Sequence, residues 1–253
     1  MLNQRFFIAA VLSAFMSPAW SASTLVAVAA NFTKPMTDIA AEFQKATGHE
    51  AKLSFGSSGK FVAQIENGAP FEVFLAADQD SVVKLQSSGL AVTDSRFTYA
   101  LGKLVLWSAT PAYADDQGSI LQTGGFKHIA LADPKLAPYG AAAIEVLKNL
   151  GVLETVRPLL VQGENISQTH QFISTGNAEL GFVALSQVIE NGTIVSGSGW
   201  IVPGELYSPI RQDAVLLAKG EDNPAATALL QFLKGPQARA IIQKYGYSLP
   251  EQP

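Results

Sequence analysis

Apolar residues in this chain fall into short unbroken runs separated by stretches with helical spacing. Residues 24–30 (TLVAVAA) form a continuous apolar run of strand length, the pattern of a strand buried on both faces. After Asn31-Phe32-Thr33-Lys34-Pro35 the apolar positions shift to Ile39, Phe43 and Ala46, which predicts a helix. Pro35 would sit in its first turn, where a missing N–H costs little, and Gly48 would be its C-cap. The alternation continues with a strand at 49–55, a turn at 56–59, a helix at 60–67, a strand at 70–76 and a helix reaching about residue 88.

Two longer apolar stretches, 101–108 and 213–218, read as strands crossing between two structural units. Between them the pattern restarts: strand 129–132, turn 138–140, helix 141–150, strand 159–161, turn 163–165, helix 167–175 and strand 180–184. Residues 224–245 read as two helices broken at Gly235-Pro236. Strands and helices alternating over short connections predict an α/β protein with mostly parallel sheets covered by helices. The chain leaves one unit, builds a second and returns. We therefore expect two lobes, residues 22–101 plus 213–253 and residues 102–212, hinged on the two crossover strands.

The first residues predict export. Arg5 precedes an apolar run, 6–16, that is too short to span a bilayer. Pro18 and the small-x-small sequence Ala19-Trp20-Ser21 then supply a cleavage site after Ser21 or Ala22. A leader of residues 1–21 and a periplasmic mature chain are expected. The 253 residues, 48% hydrophobic and 15% charged, suffice for a packed core. Cysteine is absent, which removes disulfides, thiolate metal sites and cysteine nucleophiles. The three histidines (His49, His128, His170) have no metal-ligand spacing. Loss of Arg5 with the leader takes the net charge from −4 to −5, a poor match for nucleic acid. An anionic ligand would then have to be held by local dipoles and not by the global field.

Four predicted turns share one design, each following a strand and opening a helix. They are Ala30-Asn31-Phe32, Gly56-Ser57-Ser58-Gly59, Pro138-Tyr139-Gly140 and Gly163-Glu164-Asn165-Ile166-Ser167, two in each expected lobe. Ligands of open α/β sheets bind beyond the carboxyl ends of the strands, where helix N-termini offer free N–H groups and partial positive charge. Asn31, Ser58 and Tyr139 add uncharged donors. Enclosing a tetrahedral dianion needs roughly seven or more such donors, because each unpaired charged oxygen is costly. Taken singly, Ser, Asn and Gly at helix starts are ordinary caps, and Asp78 and Asp133 read the same way. Gly56-Ser-Ser-Gly-Lys60 lacks the spacing of a phosphate-binding loop, and Phe61 stands where that loop needs Ser or Thr. No Gly-x-Ser-x-Gly elbow is present, so a hydrolase using Ser57 or Ser58 lacks both its motif and an obvious base.

These turns and their surroundings resemble the periplasmic molybdate-binding proteins that serve molybdate ABC transporters. The resemblance runs from Val26-Ala-Val-Ala-Ala-Asn-Phe32 to the end. It includes Phe55-Gly-Ser-Ser-Gly59, Gly68-Ala-Pro-Phe-Glu-Val-Phe-Leu-Ala-Ala-Asp78, Ala132-Asp-Pro134, Tyr139-Gly-Ala-Ala-Ala143, Gly163-Glu-Asn-Ile-Ser-Gln168, Gly181-Phe-Val183 and Phe232-Leu-Lys-Gly-Pro-Gln237. It implies a two-lobed periplasmic-binding-protein fold of type II and no enzymatic activity or cofactor. The implied ligand is molybdate or tungstate, caught between the lobes and passed to the membrane permease of an ABC transporter by a monomer.

Position by position, the resemblance places oxyanion contacts on Asn31, Ser58, Tyr139 and the backbone of Ile166, with Ala30, Phe32, Ser57, Gly140 and Asn165 as further candidates. Molybdenum would be held through its oxygens, with no direct metal ligand. Some members carry an anion-binding Tyr where this chain has Ala184; others use a Tyr in the third turn, as Tyr139 would. The alternatives are another oxyanion, such as sulfate or phosphate, and an exported serine hydrolase.

Overall fold

The computed structural model describes residues 21–190 and 192–251, so the predicted leader up to residue 20 lies outside the described residues. The chain first forms β1 (Ser23–Ala29), a 3-10 turn (Ala30–Phe32) running into α1 (Thr33–Thr47), β2 (Glu50–Gly56), α2 (Ser58–Glu66), β3 (Val73–Leu75), α3 (Asp80–Ser87) and β4 (Phe97–Gly102). It continues through β5 (Leu104–Ser108), α4 (Ile120–Thr123), β6 (Ile129–Ala132), α5 (Pro138–Asn149), α6 (Leu153–Val156), β7 (Leu160–Gly163) and α7 (Ile166–Ser174). Then come β8 (Leu180–Ala184), α8 (Leu185–Val188), the small β9–β10 pair (Ile189–Glu190, Thr193–Ile194) and β11 (Ser198–Ile201). The return passes through β12 (Ile210–Leu216), α9 (Pro224–Lys234) and α10 (Pro236–Lys244).

Two five-stranded sheets result, ordered β2-β1-β3-β12-β4 and β7-β6-β8-β5-β11. The plan is the same in both: the second, first and third strands run parallel, then comes one reversed strand, then a last strand. The reversed strands, β12 and β5, are those by which the chain enters each lobe from the other. The inner strands of both sheets are buried on their two faces. Helices α1, α9 and α10 cover one side of the first sheet, and α2 and α3 the other. In the second sheet, α5 and α6 cover one side and α7 the other. Burial on both faces accounts for the unbroken apolar runs of β1, β6 and β8.

The crossovers differ in detail from the sequence reading. The stretch 101–108 is two strands that part at Lys103, one in each sheet. The strand expected at 213–218 is β12, shifted to 210–216 and lying wholly in the first sheet, while the return between lobes is the segment 202–209. Apolar runs signal burial but do not show which sheet receives them. The edge strand β11 and the β9–β10 pair carried no periodic signal, being short and bounded by glycines.

The turn after β1 is fixed from behind by Phe32. Its ring is fully buried and meets Tyr99 and Tyr247 edge-on, with centroids 4.8 and 5.3 Å away. Phe32 is therefore a core residue that holds the turn in place. Phe32→Ala should lower unfolding free energy in urea by about 3–5 kcal/mol, the usual cost of emptying a buried aromatic site.

Candidate oxyanion-binding site

The carboxyl ends of β1 and β2 in one lobe and of β6 and β7 in the other face each other. Ala29 is in register with Gly56, and Ala132 with Gly163, so each lobe presents two neighbouring turns side by side. Between the four turns lies a small cavity lined by Ala30, Asn31, Ser57, Ser58, Tyr139, Asn165 and Ile166, with Ala77, Gly56 and Pro138 among its walls. The centre of a water-sized sphere fits over only about 10 Å³ of it, close to the minimum for one water. A compact ligand suits such a space and an extended organic one does not.

Three of the four helix starts leave an amide without a helical acceptor at this cavity. Asn165 caps α7 with its side-chain carbonyl, which accepts from Ser167 N (2.9 Å) and Gln168 N (3.0 Å). Ile166, at the first helical position, has no acceptor one turn back for its own N–H. In α5 the amides of Gly140 and Ala141 turn back to the Ala137 carbonyl, Pro138 has no N–H, and the Tyr139 amide is left over. In α2 the Gly59 amide crosses to the other lobe, donating to Leu136 O at 3.0 Å, while the Ser58 amide has no helical acceptor.

The two serine hydroxyls differ. Ser58 Oγ accepts from the Ala77 amide at 2.9 Å, which polarises its own O–H for donation. Asp78 lies beside it, its carboxyl raised above the ordinary range by burial, against the bonds it receives from Ser81 and, more weakly, from the Ser58 hydroxyl. Ser57 stands at the N-cap of α2 yet makes no capping bond. Its hydroxyl is buried without any hydrogen-bond partner. An orphaned hydroxyl on a cavity wall costs stability unless something in the cavity accepts from it.

Among the described residues, no charged side chain lines the cavity. Lys60 sits at the rim and pairs with Glu164 of the opposite lobe at 2.6 Å, both about half exposed, an exposed pair of small energetic value. Attraction for an anion must come from the helix starts and neutral donors. The larger cleft outside, about 460 Å³, carries Asp78, Asp80 and Glu145 against Lys135 and Arg211, which is a poor composition for an anion site.

Two predicted residues stand off the cavity. Besides Phe32, Gly140 is packed behind it, where a Cβ would run into the Ala132 carbonyl. Two others line it with their polar ends engaged elsewhere. Both amide hydrogens of Asn31 are donated, to Gln212 Oε1 (2.8 Å) and Tyr247 OH (2.9 Å). The Tyr139 hydroxyl, which the resemblance offered to the anion, accepts from Gln212 Nε2 at 3.2 Å. The residues that sequence reasoning missed are these partners. Gln212 and Tyr247 belong to no helix-opening turn, and the only hint was a polar Arg-Gln-Asp at the start of an otherwise apolar strand.

The sequence pattern of the family described as "Bacterial extracellular solute-binding protein" matches residues 24–248. The chain belongs to this family. It is 61% identical over 231 residues to Molybdate-binding protein ModA of Azotobacter vinelandii, covering 91% of this chain and 92% of the relative. It is 56% identical over 230 residues to Molybdate-binding protein ModA of Rhodobacter capsulatus, covering 91% and 90%. The solved periplasmic molybdate-binding protein of A. vinelandii shares the fold with a TM-score of 0.88 at 44% identity, over 90% of this chain and all of that one.

As in any two-lobed solute-binding protein, the contacts between the lobes matter as much as the cavity. Here they are closed. Ser186 Oγ, from the second lobe, donates to the Asn31 carbonyl (2.8 Å), Ser167 Oγ to the Ala30 carbonyl (3.3 Å) and Lys34 to the Gln187 carbonyl (2.9 Å). Tyr247 OH stands 3.0 Å from Ser186 Oγ, so Asn31, Tyr247 and Ser186 form a ring of hydrogen bonds across the interface.

Burial raises the phenols of Tyr99 and Tyr139 well above their usual value, and that of Tyr247 to about 12. The folded value lies above the unfolded one, near 10, so the associated stability is complete below about pH 10 and is lost as pH rises through about 12. Alkaline unfolding should begin near pH 10, and Tyr247→Phe should make the loss with pH shallower in denaturation series from pH 8 to 11.

Proposed function

We propose that this chain captures molybdate or tungstate between its lobes in the periplasm and, as a monomer, hands it to the membrane permease of an ABC transporter. The buried Ser57 hydroxyl without a partner carries the reading, in a cavity otherwise lined by neutral donors and free helix-start amides. A tetrahedral oxyanion supplies acceptors for such donors, and its charge is met by helix dipoles. The binding named for the ModA relatives supports molybdate as the first choice. The protein needs no resident cofactor for this, and the metal of the ligand is touched only through its oxygens. Ligand binding favours the closed arrangement because donors from both lobes are satisfied only there.

Catalysis has little to work with at this site. His49 accepts from the Ala22 amide, His128 lies beside Glu179, and His170 stacks on Trp107 at 5.0 Å. None of them lines the cavity to serve Ser57 or Ser58 as a base.

Calorimetric titration of the mature protein should show one-to-one binding of molybdate and tungstate and little heat with sulfate or phosphate. Binding of sulfate in preference to molybdate would replace the ligand assignment, and silence with all four would end it. Ser58→Ala should weaken molybdate binding by about 1–3 kcal/mol through loss of a charge-assisted bond. Ser57→Ala should weaken binding likewise but leave the ligand-free protein equally or more stable, since it removes an unsatisfied buried hydroxyl. A drop in ligand-free melting temperature with unchanged affinity would show that Ser57 serves the fold alone.

A further inference from the structure

Gln212 lies outside all four ligand turns, on β12, yet its side chain joins two of them. It is fully buried. Its Oε1 accepts from Asn31 Nδ2 at 2.8 Å and from Tyr99 OH at 3.0 Å, and its Nε2 donates to Tyr139 OH at 3.2 Å. Asn31 belongs to the first turn of one lobe and Tyr139 to the third-turn helix start of the other. One amide therefore spans the cleft between lobes just beside the cavity.

Two further features of the backbone are arranged around this side chain. The β12–β4 register slips between Gln212, opposite Ala100, and Asp213, opposite Thr98. Such a bulge re-aims the side chains next to it. Here it allows two consecutive polar residues to be buried: Gln212 toward the ligand turns, and Asp213 toward Arg96, Thr98 and Gln79. Facing the bridge across the same strand pair is Gly102. A Cβ there would intrude on the Tyr139 hydroxyl and come within 2.7 Å of Gln212 Nε2. The absence of a side chain at 102 leaves the space in which the bridge forms.

From these observations we infer that Gln212 is a positioning residue that sets the span between the Asn31 and Tyr139 turns, and so decides which size of tetrahedral oxyanion both turns can touch. The inference rests on the oxyanion reading of the cavity. Tyr139 is anchored at its hydroxyl by Gln212 and offers the ligand its amide, so a change at the hydroxyl displaces the helix start carrying that amide. With the span fixed, an anion small for it leaves a charged oxygen or a donor unpaired, at a cost in affinity. With the span free to collapse, small and large anions are held more nearly alike.

The test is the ratio of affinities, a readout that general loosening of the fold does not move. Molybdate and tungstate are titrated calorimetrically into the wild-type protein and into Gln212→Met, which keeps length and volume but removes the amide, and sulfate affinity is measured in both by displacement of bound molybdate at high sulfate concentration. The expected result is a loss of molybdate and tungstate affinity of about tenfold or more, with sulfate changed by less than about twofold, so that the molybdate-to-sulfate ratio falls. An unchanged ratio, whether affinities hold or all fall together, overturns the proposal.

Should Gln212→Met fail to fold by circular dichroism, two other variants carry the same expectation and the same refutation. Tyr139→Phe removes only the hydroxyl that Gln212 holds, and Gly102→Ala crowds the bridge without removing a polar group. The wild-type arm keeps the two readings apart. Wild-type protein silent with every oxyanion removes the oxyanion reading and this inference with it. Wild-type binding with an unmoved ratio in the variants removes the inference alone.

Discussion

The constraint on which this molecule depends is that a charged oxyanion, once stripped of water, must find a donor for each of its oxygens in a space without counter-charges. Backbone amides at helix starts can satisfy it without an ionised side chain: they carry partial positive charge, they are fixed by the helix, and they lack partners of their own. The exposed Lys60–Glu164 pair at the rim keeps charge outside the cavity. Selection by such a cage follows from geometry, since rigid donors reach only oxygens at the right distance.

The fold meets this constraint by using one arrangement twice. Each sheet places its first two parallel strands side by side, and each of those strands ends in a turn that opens a helix. Two lobes built alike and set face to face bring four such turns to one point. The entering strands, β5 and β12, run against the others, so each lobe is tied to its partner through the middle of its own sheet.

Closure places polar groups where water cannot reach them, and most are provided for. Asn31, Tyr247, Ser186, Gln212, Tyr99 and Tyr139 share hydrogen bonds in one buried network across the lobes. A satisfied network of this kind specifies one arrangement of the turns. The exception on the cavity wall is the Ser57 hydroxyl, and an unmet donor is tolerated where function gives it an acceptor. Along Gly56–Gly59 the two cases are neighbours: Ser58 Oγ accepts from the Ala77 amide, while the Ser57 hydroxyl beside it is unmet.

The alternation of apolar runs and helical periods determined the α/β class, most strands and helices, and the Gly235-Pro236 break, because burial on two faces and breaker residues leave local signatures. The same local chemistry marked Asn31, Ser58, Tyr139 and Ile166, since turns that open helices carry Asn, Ser, Gly and Pro for reasons legible in a few neighbouring residues. What each of these residues does with its side chain was decided elsewhere. The Asn31 amide and the Tyr139 hydroxyl are turned to Gln212 and Tyr247, residues 181 and 73 positions away in two of these bonds. No periodicity or spacing connects such positions, which meet only when the chain has crossed between lobes and come back. The bulge at Gln212 and the clearance at Gly102 are likewise properties of paired strands. Sequence determined which groups could donate to an anion; only the assembled lobes decided which of those groups are free to do so.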